Sequence, residues 1–535
     1  MNQQNKFLIF GITLVAALGG LLFGYDTAVI SGTTGALDNF FIKPLFQDTG
    51  MAREVIFEYK IIISLCVVVL VILASSFLTK LYNTCKGAVY TIFLIILSLI
   101  VWYFQFWDQP NVLTETMASS IKGFTISSAL VGCIIGGALG GSISGSIGRK
   151  QGLIVAALLF TISALGSAIP DKLNFLGVEM ISSLIFYRII GGIGVGIASM
   201  LSPMYIAEIA PAKMRGQLVS LNQFAIIFGM LVVYFVNYYI AGQGDTNWLD
   251  TIGWRWMFAS ELLPCILFFV LLFWVPKTPR FLMLKGNETG ATRVLTRLYG
   301  EQVAREEIFQ IRDSLNGKNA HWLSFGALVI GIGMLISFFQ QAVGINVVLY
   351  YAPEIFRTMG AGTDASLLQT IIVGIINLSF TVVAILTVDR FGRKPLMIVG
   401  AIGMAISMFA LGLTFYLNSV GIGSLIFMLI YTASFAMSWG PVAWVLLAEI
   451  FPNSVRGAMS IAVAVQWLAN LVVSWTFPIM NENATLTHLF HHGFAYWIYG
   501  IMGILAAIFV WKMVPETKGR SLENIEKIWK KNEKI

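Results

Sequence analysis

Three ionisable side chains stand inside long apolar runs: Asp26 in FGYDTAVISG, Arg188 in FYRIIGG and Glu261 in FASELLP. Charge surrounded by hydrocarbon is costly, so such residues pair with one another or become neutral by taking a proton. An acid beside an arginine suits proton traffic, because burial and a neighbouring cation pull its proton affinity in opposite directions. A fixed ion pair that only specifies packing is the other use of the same residues. A second set is neutral. The stretch FQQAVGINVVLYYAP places Gln340 and Gln341 shortly before Asn346, with Gly344 between them and Tyr350 beyond. Amides both donate and accept hydrogen bonds without burying a charge, which fits a polyhydroxylated ligand, and aromatic faces cover its C–H surfaces. Amides that glue helix to helix in lipid are the alternative.

The elements that must hold these groups are set by composition. The chain has 535 residues, 57% hydrophobic and 11% charged, with mean hydropathy +0.81. A soluble domain carries about 25% charged residues, so the fold class expected is an all-α polytopic membrane protein. The net charge of +7 fits basic loops on one membrane face and gives no sign of a nucleic-acid partner. Fourteen apolar segments run from 7–30 to 494–514, and the first reads as a retained span. A hydrophilic stretch at 276–322 divides them, with helical periodicity in TRVLTRLYG and REEIFQIRDSL, and reads as amphipathic helices on the membrane surface. Basic residues including Lys6, Arg149, Lys150, Lys213, Arg215, Arg390, Arg393, Lys394 and Arg456 fall in alternate loops. Positive-inside puts both termini and the central stretch in the cytoplasm.

A direct repeat organises the chain. EIAPAKMRG from Glu208 answers EIFPNSVRG from Glu449, IGRK at 147–150 answers FGRK at 391–394, and VPKTPR answers VPETKGR, all offset by about 240 residues. Parallel repeats with an even number of spans predict a bundle at 1–275, a linker at 276–322, a second bundle at 323–514 and a tail at 515–535. The interval from Asp26 to Gly148 exceeds its counterpart, Asn346 to Gly392, by about 76 residues. The excess predicts an inserted pair of helices within about 54–118, at 61–79 and 87–104, with a re-entrant hairpin as the alternative.

With these motifs in order, from GGLLFGYDTAVISG and YRIIGGIGVG through AEIAPAKMRG, DRFGRKP and GPVAW to PETKGR, the sequence resembles the sugar porter family of the major facilitator superfamily, nearest to bacterial D-xylose–proton symporters. The resemblance implies two six-helix halves, alternating access, and proton-coupled uptake of a monosaccharide by a monomer in the cell inner membrane. A proton-independent facilitator of glucose or xylose is the alternative. The resemblance makes Asp26 the proton carrier, Arg188 its partner and Glu261 a modulator. It adds Gln223, Asn377, Trp444 and Gln466 to the ligand site with Gln340, Gln341 and Asn346. Phe23, Tyr350, Phe435 and Trp467 become candidate walls, and Met230 shares a helix face with Gln223. It also implies a cytoplasmic gate in which Glu208, Arg215 and Arg149, with Glu449, Arg456 and Arg393, form salt bridges between the halves in the outward-facing state, with solvated loop charges as the alternative.

Two departures stand out. The first cytoplasmic motif reads Gly145-Ser146-Ile147-Gly148-Arg149-Lys150, without the Asp-Arg that the second keeps at Asp389-Arg390. Lys277 stands where the family carries Glu. No enzyme chemistry is expected, since no nucleophile–base pair emerges. Cofactors are expected to be none: there is no GxxxxGK[ST] loop, no cysteine pair has metal-ligand spacing, and the His488, His491, His492 cluster reads as a solvated polar loop, with a metal site as the alternative.

Overall fold

The computed structural model describes residues 3–518 apart from 83, 108–110, 212–213, 317–322, 324–325 and 452–458. Among the described residues the regular structure is helical throughout. Thirteen helical stretches are long and apolar enough to cross a membrane, and a fourteenth apolar helix at Cys85–Ile100 is shorter.

In chain order, the first half contains α1 (Gln3–Leu37), α2 (Thr49–Leu81), α3 (Thr84–Trp102), α4 (Glu115–Ser146), α5 (Arg149–Ala168), α6 (Met180–Ile209), α7 (Arg215–Ala241), α8 (Trp254–Ala259) and α9 (Leu262–Leu272). The short helices α10 (Pro279–Leu284), α11 (Glu288–Tyr299) and α12 (Glu301–Asn316) follow. The second half contains α13 (Ala327–Ala342), α14 (Ile345–Tyr350), α15 (Ala352–Thr358), α16 (Thr363–Phe391), α17 (Arg393–Tyr416), α18 (Ile422–Met437), α19 (Trp439–Ile450), α20 (Met459–Glu482) and α21 (Phe494–Met513). Arg149 and Arg393 open α5 and α17, and we call their end of the bundle the basic end. The start of α4 and the end of α20 lie at the far end.

Breaks in three spans have local causes. Gly344 adopts φ +89, a left-handed conformation that glycine accepts without strain, and it separates α13 from α14. The Val343 carbonyl freed there accepts from the Tyr431 hydroxyl at 2.8 Å. Pro264 has no N–H for the Ser260 carbonyl, and α8 and α9 part at Ser260–Glu261. Ser438, at φ −131 and ψ −88, divides α18 from α19.

The sequence readings of 255–275, 324–351 and 424–447 as continuous spans therefore become broken helices. Hydropathy stays high across a break, because the residues around it remain apolar. The apolar runs at 61–79 and 87–104, expected as an inserted pair, lie in α2 and α3, whose bounds differ. α2 starts at Thr49, before the apolar run, because its first turns are amphipathic and bury only Ala52, Val55, Ile56, Tyr59, Lys60 and Ile63. α3 carries exposed Val89, Ile92, Phe93, Ile96 and Ile100 around its surface. The linker helices are amphipathic, but they pack against the basic end of the bundle. The Tyr299 hydroxyl donates to the Ile209 carbonyl at 2.5 Å, and Ala291, Leu295 and Leu298 are buried.

Candidate functional site

α1, α6 and the α8–α9 break bring the three intramembrane ions together. Arg188 on α6 donates through one terminal nitrogen to Asp26 Oδ1 at 2.8 Å and to the Asp26 carbonyl at 3.2 Å. Its other terminal nitrogen reaches that carbonyl at 3.3 Å. Asp26, Arg188 and Glu261 are 0%, 1% and 1% exposed, so water contributes nothing to their charge balance in this conformation. Arg188 also lies over the Phe258 ring, 5.6 Å from its centroid. Among the described residues, Asp26 Oδ2, Arg188 Nε and Glu261 Oε2 have no hydrogen-bond partner. Beside the triad, the Tyr25 hydroxyl meets Ser260 Oγ at 2.8 Å.

The amides gather at the α13–α14 break. Asn346 Nδ2 donates to Gln341 Oε1 at 2.5 Å, and Gln341 Nε2 lies 3.5 Å from Gln340 Oε1. Gln340 Nε2 donates to the Trp439 and Gly440 carbonyls, at 2.9 and 3.2 Å, in the first turn of α19. Gln340 therefore also does structural work: it ties the end of α13 to the start of α19. The Phe435 ring stands against Gly440, which brings one expected wall to this cluster. Across the halves, Phe23 and Trp467 lie with ring centroids 5.6 Å apart.

Other expected residues are placed but not joined. Gln466 and Asn377 are buried, while Gln223 and Trp444 are half-buried. Among the described residues, no hydrogen bond links these four to the amide cluster. Gln466 Oε1 and Trp467 Nε1 are buried without a partner among the described residues, so each keeps polar capacity to spare. Tyr350 and Met230 are buried too.

At the basic end the ion pairs differ from the expectation. Arg149 donates to Glu208 at 2.7 and 3.1 Å, and Arg393 donates to Glu449 at 2.8 and 3.1 Å. Both bridges join residues of one half, not of two. The physical reason is local: each arginine opens a helix beside the glutamate's own helix end and also donates to a carbonyl of the preceding helix, Ser144 or Val388. Arg215 is exposed, and Arg456 lies outside the described residues. The copies also part at a cap. Burial would raise the Glu516 carboxyl, but four backbone N–H groups, from Lys518, Arg393, Lys394 and Thr517, hold it below the usual range. Lys277 occupies the related position in the first half, so that half has no such carboxylate.

The sequence reading missed Lys122. On α4 it contacts Asp38, Glu354 and Glu482 at 3.5, 2.9 and 2.5 Å. A lysine seven residues into an apolar helix was the available signal.

Comparison with known proteins assigns the chain to a family. The model of the family "Sugar (and other) transporter" matches residues 12–529. The chain is 51% identical to the D-xylose-proton symporter of Escherichia coli K12, with 99% of this chain and 97% of that protein covered. It is 37% identical to the glucose facilitated diffusion protein of Zymomonas mobilis, with 99% of each covered. The inward open conformation of the E. coli xylose transporter XylE superposes with a TM-score of 0.76 at 50% identity, over 97% of this chain and 100% of that one. This chain belongs to the sugar transporter family and has the major facilitator fold.

Proposed function

We propose that the chain is a proton-coupled monosaccharide symporter of the cell inner membrane, carrying D-xylose by alternating access with both termini in the cytoplasm. The observation that carries this reading is the buried Asp26–Arg188 pair with Glu261 beside it. With both acids ionised, two carboxylates face one guanidinium, and a single proton makes the group neutral. Neutrality lowers the cost of moving the group through a closed intermediate. In this reading Asp26 takes the proton, Arg188 answers its charge, and Glu261 sets the balance. The amides Gln340, Gln341 and Asn346 hold sugar hydroxyls, with Gln223, Asn377, Trp444 and Gln466 completing the site. Phe23, Tyr350, Phe435 and Trp467 form its walls. The functional unit is the monomer, and the proton gradient drives it without a cofactor.

The similarity to a symporter named for D-xylose supports the sugar and the coupling. The similarity to a facilitated diffusion protein supports a second reading, uniport of glucose or xylose. Adding sugar to a weakly buffered suspension of expressing cells separates them. Symport predicts alkalinisation of the medium that follows uptake, with labelled xylose displaced best by xylose in a panel including glucose and arabinose. Uptake without alkalinisation would leave uniport.

A further inference from the structure

We infer that Lys122 is a positioning residue of the transport cycle: it ties the two halves together at the far end of the bundle and holds that end shut. The inference builds on the transport reading and adds a residue outside both the ion triad and the amide cluster.

Lys122 belongs to the first half, as does Asp38, 3.5 Å from its ammonium. Glu354 and Glu482 belong to the second half, and each bonds the same nitrogen, at 2.9 and 2.5 Å. Ser119, one turn earlier on α4, donates to the other oxygen of Glu482 at 2.6 Å. Lys122 is 7% exposed at its side chain, against 18% for Glu354 and 33% for Glu482. One cation thus spans the seam, while the carboxylates around it keep an edge toward solvent. A cleft of about 640 Å³ opens there, lined by Asp38, Glu482, Glu115, Lys43 and His492 among others.

The seam around the lysine is tight. Trp475 on α20 donates to the Ser120 carbonyl at 3.0 Å, and a Cβ on Gly123 would stand 2.2 Å from the Trp475 carbonyl oxygen. Opening this end must part Lys122 from two carboxylates. At the basic end, by contrast, the Arg149–Glu208 and Arg393–Glu449 bridges each lie within one half. Charge count gives the sign. Without the ammonium, three carboxylates from two halves face each other, and the seam becomes repulsive.

The test labels Gln47→Cys and Thr485→Cys, exposed positions on opposite sides of the seam, with Cys66→Ser and Cys85→Ser in the full chain. Electron–electron resonance then gives the ratio of long to short distances. Lys122→Gln should raise that ratio on the order of tenfold. Lys122→Arg should restore it. Glu482→Gln, which leaves Lys122 paired with Glu354, should shift it less and serves if Lys122→Gln fails to fold. Folded Lys122→Gln or Glu482→Gln protein with the parental distribution would overturn the inference. The distances are read without sugar or proton flux. A failure of symport in the uptake assay therefore leaves this result standing, and the reverse also holds.

Discussion

At the scale of single residues, the ion triad was legible because a charge in an apolar run is expensive wherever the fold places it. Asp26, Arg188 and Glu261 each announced themselves, and the 2.8 Å contact supplied the pairing. Replacing Asp26 by Asn keeps shape and removes the titratable proton. In Asp26→Asn, sugar accumulation should fall to simple equilibration, measured as the inside-to-outside ratio of labelled sugar. Binding affinity should change by less than about tenfold, equivalent to about 1.4 kcal/mol, read by calorimetry on purified protein. Retained uphill accumulation would remove Asp26 from the coupling step. The role of Lys122 was illegible by contrast. Its partners Asp38, Glu354 and Glu482 are scattered along the chain, and only packing brings them to one nitrogen.

At the scale of elements, hydropathy located the spans but not their interruptions. Gly344, Pro264 and Ser438 break helices without lowering the apolar content around them. The interruptions decide the site: the first makes room for the amide cluster, the second sits beside Glu261, and the third starts the turn of α19 whose carbonyls hold Gln340. Pairing at the basic end follows local geometry: four of the residues that the repeat marks pair as Arg149–Glu208 and Arg393–Glu449, each within one half. The unequal caps offer a test. Glu516 caps the start of α17, while Lys277 leaves α5 uncapped by a carboxylate. Lys277→Glu should add a charge-assisted cap and stabilise the fold by about 0.5–1 kcal/mol, seen as a higher thermal midpoint. A lower midpoint would show that Lys277 has partners worth more than the cap.

For the molecule as a whole, the internal repeat announced two halves and left a segment without a counterpart, read from the sequence as an inserted pair. In the structure its apolar runs lie in α2 and α3, and α2 starts earlier than its run because amphipathic turns carry little hydropathy signal. α2 meets the bundle through its first turns, where Tyr59 reaches Ser120 at 3.0 Å and Glu58 accepts from the Glu179 backbone N–H at 3.0 Å. Replacing 49–107 by a short polar linker should therefore lower the thermal midpoint while leaving sugar uptake measurable in vesicles. Loss of uptake by a correctly inserted variant would place the pair inside the transport machinery.

The bridges closed within each half bear on how the chain is put together. Arg149–Glu208 and Arg393–Glu449 keep their lengths however one half tilts on the other. The helices between the halves rest on the first, through the Tyr299 bond to Ile209 and the Tyr205 bond to Pro276 at 2.7 Å. The covalent connection then acts as a tether that sets the local concentration of two self-contained pieces. Two separate polypeptides cut from the same gene could meet in the bilayer and make the same seam.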